Sequence, residues 1–143
     1  MKRGAPFVRD ALFSVWELVL ANRLLHRTPP GDLRLLPSLE AEHECPALSP
    51  RQAALVELVA YVLPVVGSRL PWRSDCLVQA MAGRHWLARS AITSDVCIGV
   101  RKDDQGFQAH AWLKVGGRIV TGGDISTYAE LPPVQSARFP FAQ

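Results

Sequence analysis

The segment from Arg73 to Asp124, RSDCLVQAMAGRHWLARSAITSDVCIGVRKDDQGFQAHAWLKVGGRIVTGGD, contains one predicted helix followed by three predicted strands. Its first part has apolar residues at roughly helical spacing: Leu77, Ala80, Met81 and Leu87. Gly83 is a weak point in this helical pattern. Ser74 is the predicted N-cap and Asp75 suits the first turn, so Cys76 is expected at the start of this helix. The positive end of the helix dipole favours a thiolate there, and a backbone N–H at the same end can bind an oxyanion.

The rest of the segment alternates with the period of β-strands. Residues 96–101 and 107–115 are the two arms of a predicted hairpin whose turn is DDQG, and a third strand is expected at 118–121. The alternation places His110 on the face opposite Phe107, Ala109 and Ala111.

Asp124 comes directly after the third predicted strand and can return to the strand that carries His110. We expect its carboxylate to accept a hydrogen bond from the imidazole, which would leave the other ring nitrogen facing Cys76. A thiol attacks a carbonyl well only as thiolate, so a base beside it is what a thiol hydrolase needs. The order cysteine, histidine, aspartate on a helix followed by antiparallel strands therefore predicts nucleophilic catalysis.

The stretch from Cys76 to Gly117 resembles the transglutaminase-like domain of lasso-peptide B proteins, the microcin-processing leader peptidases. The matching words are CL with Ala80, IGV at 98–100 and FQAHAW at 107–112. The resemblance covers about residues 50–125. The chain departs from the family pattern at Ser90-Ala91-Ile92, where the family usually has a glycine before the isoleucine.

The resemblance implies an α+β fold of papain-like or transglutaminase-like type, with N-terminal helices followed by a catalytic helix on a small antiparallel sheet. It implies a cysteine protease in which Cys76 is the nucleophile, His110 the base and Asp124 the orienting carboxylate, with no cofactor. The substrate would be a ribosomally made precursor peptide, from which the leader is removed so that a lasso cyclase can join the freed amine to a side-chain carboxylate.

The family often recognises the leader through a separate or fused winged-helix domain, and none fits ahead of Ser49. We therefore expect a stand-alone protease with a separate leader-recognition protein and the cyclase as partners. Two alternatives stay open. The same residues could transfer the acyl group to an amine, as transglutaminases do, or the domain could be a non-catalytic scaffold for the cyclase.

Length and composition fit one compact domain, with an N-terminal helix and connector at 1–48 and a catalytic core at 49–143. The net charge is +3, but the basic residues are scattered, so nucleic-acid binding is not expected. The histidines lack zinc-binding spacing, so no metal site is expected. Three cysteines without a CxxC pair or a secretory signal predict a reducing cytoplasm.

Two helices are predicted ahead of the catalytic segment. The first spans about residues 6–27 with a broad apolar face, and charged residues interrupt it too often for a membrane span: Arg9, Asp10, Glu17 and Arg23. After a proline-containing connector at 32–50, Ser49-Pro50-Arg51-Gln52 has the form of a capping box. The second helix is expected to end near Pro64 and to pack behind the Cys76 helix.

Other residues have ordinary structural interpretations. Cys45 is assigned to a loop and Cys97 to a strand, and His85 lies nine residues along the helix from Cys76, about 13 Å away and out of reach of the thiol. Trp112 either borders the cleft or belongs to the core. Residues 125–131 are expected to form a turn or a short helix. A second oxyanion donor is sought between residues 67 and 75.

Overall fold

The computed structural model describes residues 4–27, 47–70 and 75–131. Their elements, in chain order, are α1 (Gly4–Arg27), α2 (Pro50–Gly67), α3 (Cys76–Ala88), β1 (Asp95–Asp103), β2 (Gly106–Val115), β3 (Arg118–Thr121) and β4 (Ala129–Glu130). The fold is α+β, as predicted. The connector with His43 and Cys45 and the proline-rich tail lie outside the described residues.

Helix α2 begins where the sequence predicts. The Ser49 hydroxyl accepts a hydrogen bond from the Gln52 backbone N–H at 3.2 Å, and the Gln52 side chain accepts one from the Ser49 backbone N–H at 2.9 Å. The predicted end at Pro64 is wrong, because the helix continues through this proline to Gly67. Pro64 has no N–H for the carbonyl of Ala60, but the next turn still closes through the Ser68 N–H bond to the Pro64 carbonyl.

Helix α3 packs against both other helices and against the sheet, and Gly83 allows this close packing. A Cβ at Gly83 would lie 2.7 Å from Cδ2 of Leu113 on β2 and 3.2 Å from Cδ1 of Leu63 on α2. The glycine that weakens the helical pattern is therefore the point of closest packing. The buried side chains of α3 join those of α2 and of strands β1, β2 and β3 in one core.

Helix α1 packs on α3 and carries a buried carboxylate. Glu17 is only 1% exposed. Its Oε2 lies 2.6 Å from Nδ1 of His85, and its Oε1 lies 2.9 Å from Nη2 of Arg89, both on α3. A charge that interrupts the apolar run in the sequence thus links two helices. In the parts of the chain described, no helix is long and apolar enough to cross a membrane.

The sheet is antiparallel with the order β3-β2-β1-β4. Strands β1 and β2 form the predicted hairpin, in which Asp103 pairs with Gly106 and the Asp103 carboxylate accepts a bond from the Gln105 N–H. The prediction of a turn or short helix at 125–131 is wrong for residues 129 and 130. Ala129–Glu130 is a strand because it pairs with the free edge of β1, a contact that local sequence does not encode.

The two faces of β2 differ from the predicted apolar and polar faces. Ala111, Leu113 and Val115 are buried, as predicted, but Phe107 is 78% exposed because it lies near the hairpin turn. On the other face Trp112 is completely buried. The segment from Gly122 to Tyr128 runs from the β3 edge of the sheet to the β4 edge, and it contacts Trp112 on this face.

Candidate active site

Cys76 is the first residue of α3, and Asp75, not the predicted Ser74, is the N-cap. Asp75 has extended backbone angles, which is the conformation of an N-cap residue. Cys76 is partly buried. The structure therefore places its thiol at the positive end of the α3 dipole, as the sequence predicts.

The Cys76 sulfur contacts the strand that carries His110. Sγ accepts a hydrogen bond from the backbone N–H of Ala111 at 3.4 Å. Strand β3 stops at Thr121, which pairs with Leu113, so it does not continue alongside Ala111. The early end of β3 leaves room for the helix start at the edge of β2.

The ring of His110 is held by a backbone carbonyl. Its Nε2 lies 2.6 Å from the oxygen of Gly122. A carbonyl only accepts, so Nε2 must carry the proton. In the neutral ring Nδ1 then has the lone pair, and this is the nitrogen available as a base.

Cys76 and His110 line the same cavity, which has a volume of about 490 Å³. The other lining residues come from α2, α3, β3 and the segment after β3: Ala60, Pro64, Gln79, Ile119, Val120, Thr121, Gly122 and Gly123. No acidic or permanently charged basic side chain is among these lining residues. The cavity therefore fits an uncharged part of a ligand beside the thiol.

Asp124 is not the partner of His110 in this geometry. Its Oδ1 accepts a hydrogen bond from the Ser126 backbone N–H at 2.9 Å, and this bond lowers the pKa of the exposed Asp124 carboxyl. The Gly122 carbonyl, two residues earlier, makes the bond to the imidazole instead. The structure brings two of the three predicted residues together, and the role of Asp124 stays a prediction.

Comparison with protein families decides the relationship. Residues 20–136 match the model of the transglutaminase-like superfamily. The chain belongs to this superfamily. The superfamily consists in general of cysteine peptidases and acyltransferases, which are enzymes that use a reactive thiol. Comparison with curated proteins and with solved structures finds no match.

In this member of the superfamily two aromatic rings lie beside the imidazole. The ring centroid of Tyr128 is 5.0 Å from that of His110, with 32° between the ring planes, and the centroid of Trp112 is 6.1 Å away. Trp112 is both part of the core and a neighbour of the site. Tyr128, the last residue of the segment that crosses the sheet from Gly122, is partly buried.

Sequence reasoning did not single out two groups at the candidate site. Gln79 lines the cavity from one turn after Cys76, and the spacing of three residues on a helix was a usable signal. No sequence pattern points to the Gly122 carbonyl, because every residue has a backbone carbonyl. Of the range searched for a second oxyanion donor, neither 67–70 nor 75 lines the cavity, and 71–74 lie outside the described residues.

The structural interpretations of Cys97 and His85 agree with the structure, whereas the loop assignment of Cys45 lies outside the described residues. Cys97 is buried on β1, and burial raises the pKa of its thiol from 9.0 to about 12, which makes it a poor nucleophile. His85 binds Glu17, away from Cys76. Within 4–27, 47–70 and 75–131, no three His, Cys, Asp or Glu side chains are grouped so as to hold a metal ion.

Proposed function

We propose that this protein is a cysteine protease that cleaves the leader from a lasso-peptide precursor, with Cys76 as nucleophile and His110 as general base. Membership of the superfamily supports thiol chemistry. One observation supports these two residues above all. The Cys76 sulfur is bound by the N–H next to His110, both side chains line one cavity, and the Gly122 carbonyl holds the proton on Nε2.

The reaction begins when the Cys76 thiol gives its proton to Nδ1 of His110. The thiolate attacks the scissile carbonyl, and the oxyanion that forms is stabilised by the Cys76 backbone N–H at the helix start. The C–N bond then breaks as the imidazolium gives its proton to the leaving amine. Water attacks the resulting thioester, with His110 accepting its proton, and the free leader carboxylate and the thiol are released.

Gln79 is the side chain that we assign to the second oxyanion donor. Its amide has two N–H groups, and it lies on the same helix and in the same cavity as Cys76. The Gly122 carbonyl keeps the imidazole in the useful tautomer throughout. Asp124 is proposed as an auxiliary orienting group, which requires its carboxylate to leave Ser126 and reach the imidazole.

A leader-recognition protein and a lasso cyclase are the proposed partners. An exposed apolar row on α1 supports a docking surface for the recognition protein. Val8, Leu12 and Trp16 are spaced four residues apart, and each is more than half exposed. Trp16→Glu is expected to weaken binding of the recognition protein in a calorimetric titration, whereas Tyr61→Glu on α2, also an exposed aromatic, is expected to leave it unchanged.

The function is tested by incubating the protein with precursor peptide and the recognition protein and weighing the products by mass spectrometry. We expect free leader and core with the wild type and intact precursor with Cys76→Ala and His110→Ala. Asp124→Asn tests which group orients the imidazole, the Asp124 carboxylate or the Gly122 carbonyl. A cleavage rate within twofold of wild type would mean that the Gly122 carbonyl orients it.

Other products would decide between the alternatives. A leader joined through an amide to an added amine would indicate acyl transfer. Normal precursor maturation by Cys76→Ala, with the cyclase present, would indicate a scaffold and would overturn the proposal.

A further inference from the structure

Tyr128 packs on the imidazole that the proposed reaction uses. The two ring centroids are 5.0 Å apart, and the planes are inclined by 32°. Tyr128 reaches this position because the chain crosses the sheet after β3, with a turn in which the Tyr128 N–H donates to the Ile125 carbonyl at 2.9 Å. The same crossing segment starts at Gly122, whose carbonyl binds Nε2 of His110. One short segment thus contacts the imidazole at both of its ends.

Tyr128 is itself held by a guanidinium group. Cζ of Arg101 lies 5.0 Å from the centre of the Tyr128 ring, within the range of a cation–π contact. Arg101 is fixed by Gln108, whose Oε1 accepts bonds from Nε at 3.2 Å and Nη2 at 2.7 Å. Its Nη1 also lies 3.5 Å from Oγ1 of Thr127. Arg101 and Gln108 are opposite each other on β1 and β2, so the support comes from the rigid hairpin.

We propose that Tyr128 is a positioning residue that fixes the plane of the His110 ring, and this inference rests on the proposed Cys76–His110 pair. The bond from Nε2 to Gly122 holds one atom of the imidazole but leaves the ring able to tilt about that atom. Contact with the Tyr128 ring restricts this tilt and so keeps the direction of Nδ1 fixed within the cavity that Cys76 also lines. The contact also favours the charged pair, because an aromatic face attracts the imidazolium that forms when the thiol proton moves to Nδ1.

The test measures how fast iodoacetamide alkylates Cys76 in the full-length protein between about pH 5 and 9, a reaction that needs neither precursor nor partner. Peptide mass spectrometry separates Cys76 from the other two cysteines. We expect measurable alkylation of the wild type at about pH 6, because the proposed reaction transfers the thiol proton to the imidazole. His110→Ala is expected to abolish this low-pH reaction.

Tyr128→Ala is expected to reduce the rate at about pH 6 by roughly tenfold and to move the half-maximal rate to higher pH. Tyr128→Phe keeps the ring and is expected to stay within twofold of wild type. Tyr61→Ala is the matched control, because Tyr61 is the other tyrosine of the chain and is exposed on α2 without lining the cavity. Thermal unfolding of each variant is followed by circular dichroism.

The outcomes separate this inference from the proposed function. If His110→Ala loses the low-pH reaction but Tyr128→Ala does not, the Cys76–His110 pair stands and the role of Tyr128 is overturned. If His110→Ala behaves as wild type, the proposed function itself fails. If Tyr128→Ala does not fold, Tyr128→Leu takes its place in the test. Slow alkylation of Tyr128→Leu together with fast alkylation of Tyr128→Phe supports the inference, whereas equal rates for these two variants overturn it.

Discussion

Replacing Gly122 with alanine tests how the site is held together. Gly122 has a φ of +113°, which residues with a Cβ rarely adopt, and an alanine there costs about 1–3 kcal/mol in backbone strain. A Cβ would also overlap Cβ of the completely buried Trp112 and lie 3.1 Å from its Cα. Such overpacking against backbone costs typically about 1–3 kcal/mol. We therefore expect Gly122→Ala to lower the free energy of unfolding by about 2–6 kcal/mol.

Gly123 provides a matched control, since it is the adjacent glycine and also has a positive φ, of +66°. A Cβ there meets nothing within 4 Å, so Gly123→Ala carries only the backbone cost of about 1–2 kcal/mol. Urea unfolding of both variants, followed by circular dichroism, gives the two free energies. Equal losses for the two alanines would refute the reasoning, because the packing of Gly122 on Trp112 would then contribute nothing.

The same substitution has a second consequence, at the imidazole. The overlap with Trp112 must displace the Gly122 backbone, and the carbonyl that binds Nε2 of His110 belongs to that residue. Folded Gly122→Ala is therefore expected to alkylate at Cys76 roughly tenfold more slowly than Gly123→Ala at about pH 6, measured in conditions where both are folded. A rate equal to that of Gly123→Ala would mean that the carbonyl does not orient the ring.

Three further predictions concern residues away from the cavity. Ala91 follows α3 with a φ of +55°, a conformation that strains a residue with a Cβ. Ala91→Gly is therefore expected to raise the free energy of unfolding in urea by about 0.5–1 kcal/mol. An unchanged free energy of unfolding would mean that Ala91 is not strained. Glu17→Ala removes a buried partner of His85 and Arg89 and is expected to cost about 1–3 kcal/mol, and a melting temperature equal to that of wild type would refute this. Because burial raises the pKa of Cys97 to about 12, the folded protein keeps a proton that the unfolded chain releases above about pH 9. The contribution of this protonated thiol to stability is complete below pH 9 and is lost as the pH rises toward 12. In urea unfolding, the difference in free energy of unfolding between wild type and Cys97→Ala should therefore change between about pH 8 and 10. A difference that stays constant over this range would contradict the prediction.

The C-terminus of α3 ends in a left-handed residue that is not glycine. The N–H of Ile92 donates to the Leu87 carbonyl, and that of Ala91 to the Ala88 carbonyl, which is the Schellman pattern. Ala91 takes the left-handed position, with a φ of +55°, that glycine most often occupies after a helix. An alanine at this position adds local backbone strain, and it lies outside the cavity.

The sequence alone predicted the elements that local pattern controls. The capping box at Ser49, the period of α3 and the alternation of the β1–β2 hairpin are read from neighbouring residues, because caps, helical faces and two-residue turns depend on contacts within a few positions. The positions of Cys76 and His110 follow from these elements. Their place in one cavity was expected from the order of cysteine and histidine along the chain and from the short motifs that resemble the lasso-peptide B pattern.

Only the tertiary structure decided which groups surround the imidazole and how the helices attach. The Gly122 carbonyl, Tyr128 and the short strand β4 all depend on the path of the chain across the sheet after β3, which no local periodicity records. In the sequence Glu17 is only a charge that interrupts an apolar run, whereas in the structure it is buried because α3 supplies His85 and Arg89 to it. These contacts join residues far apart in the chain, so their energies favour an arrangement that short-range patterns cannot specify.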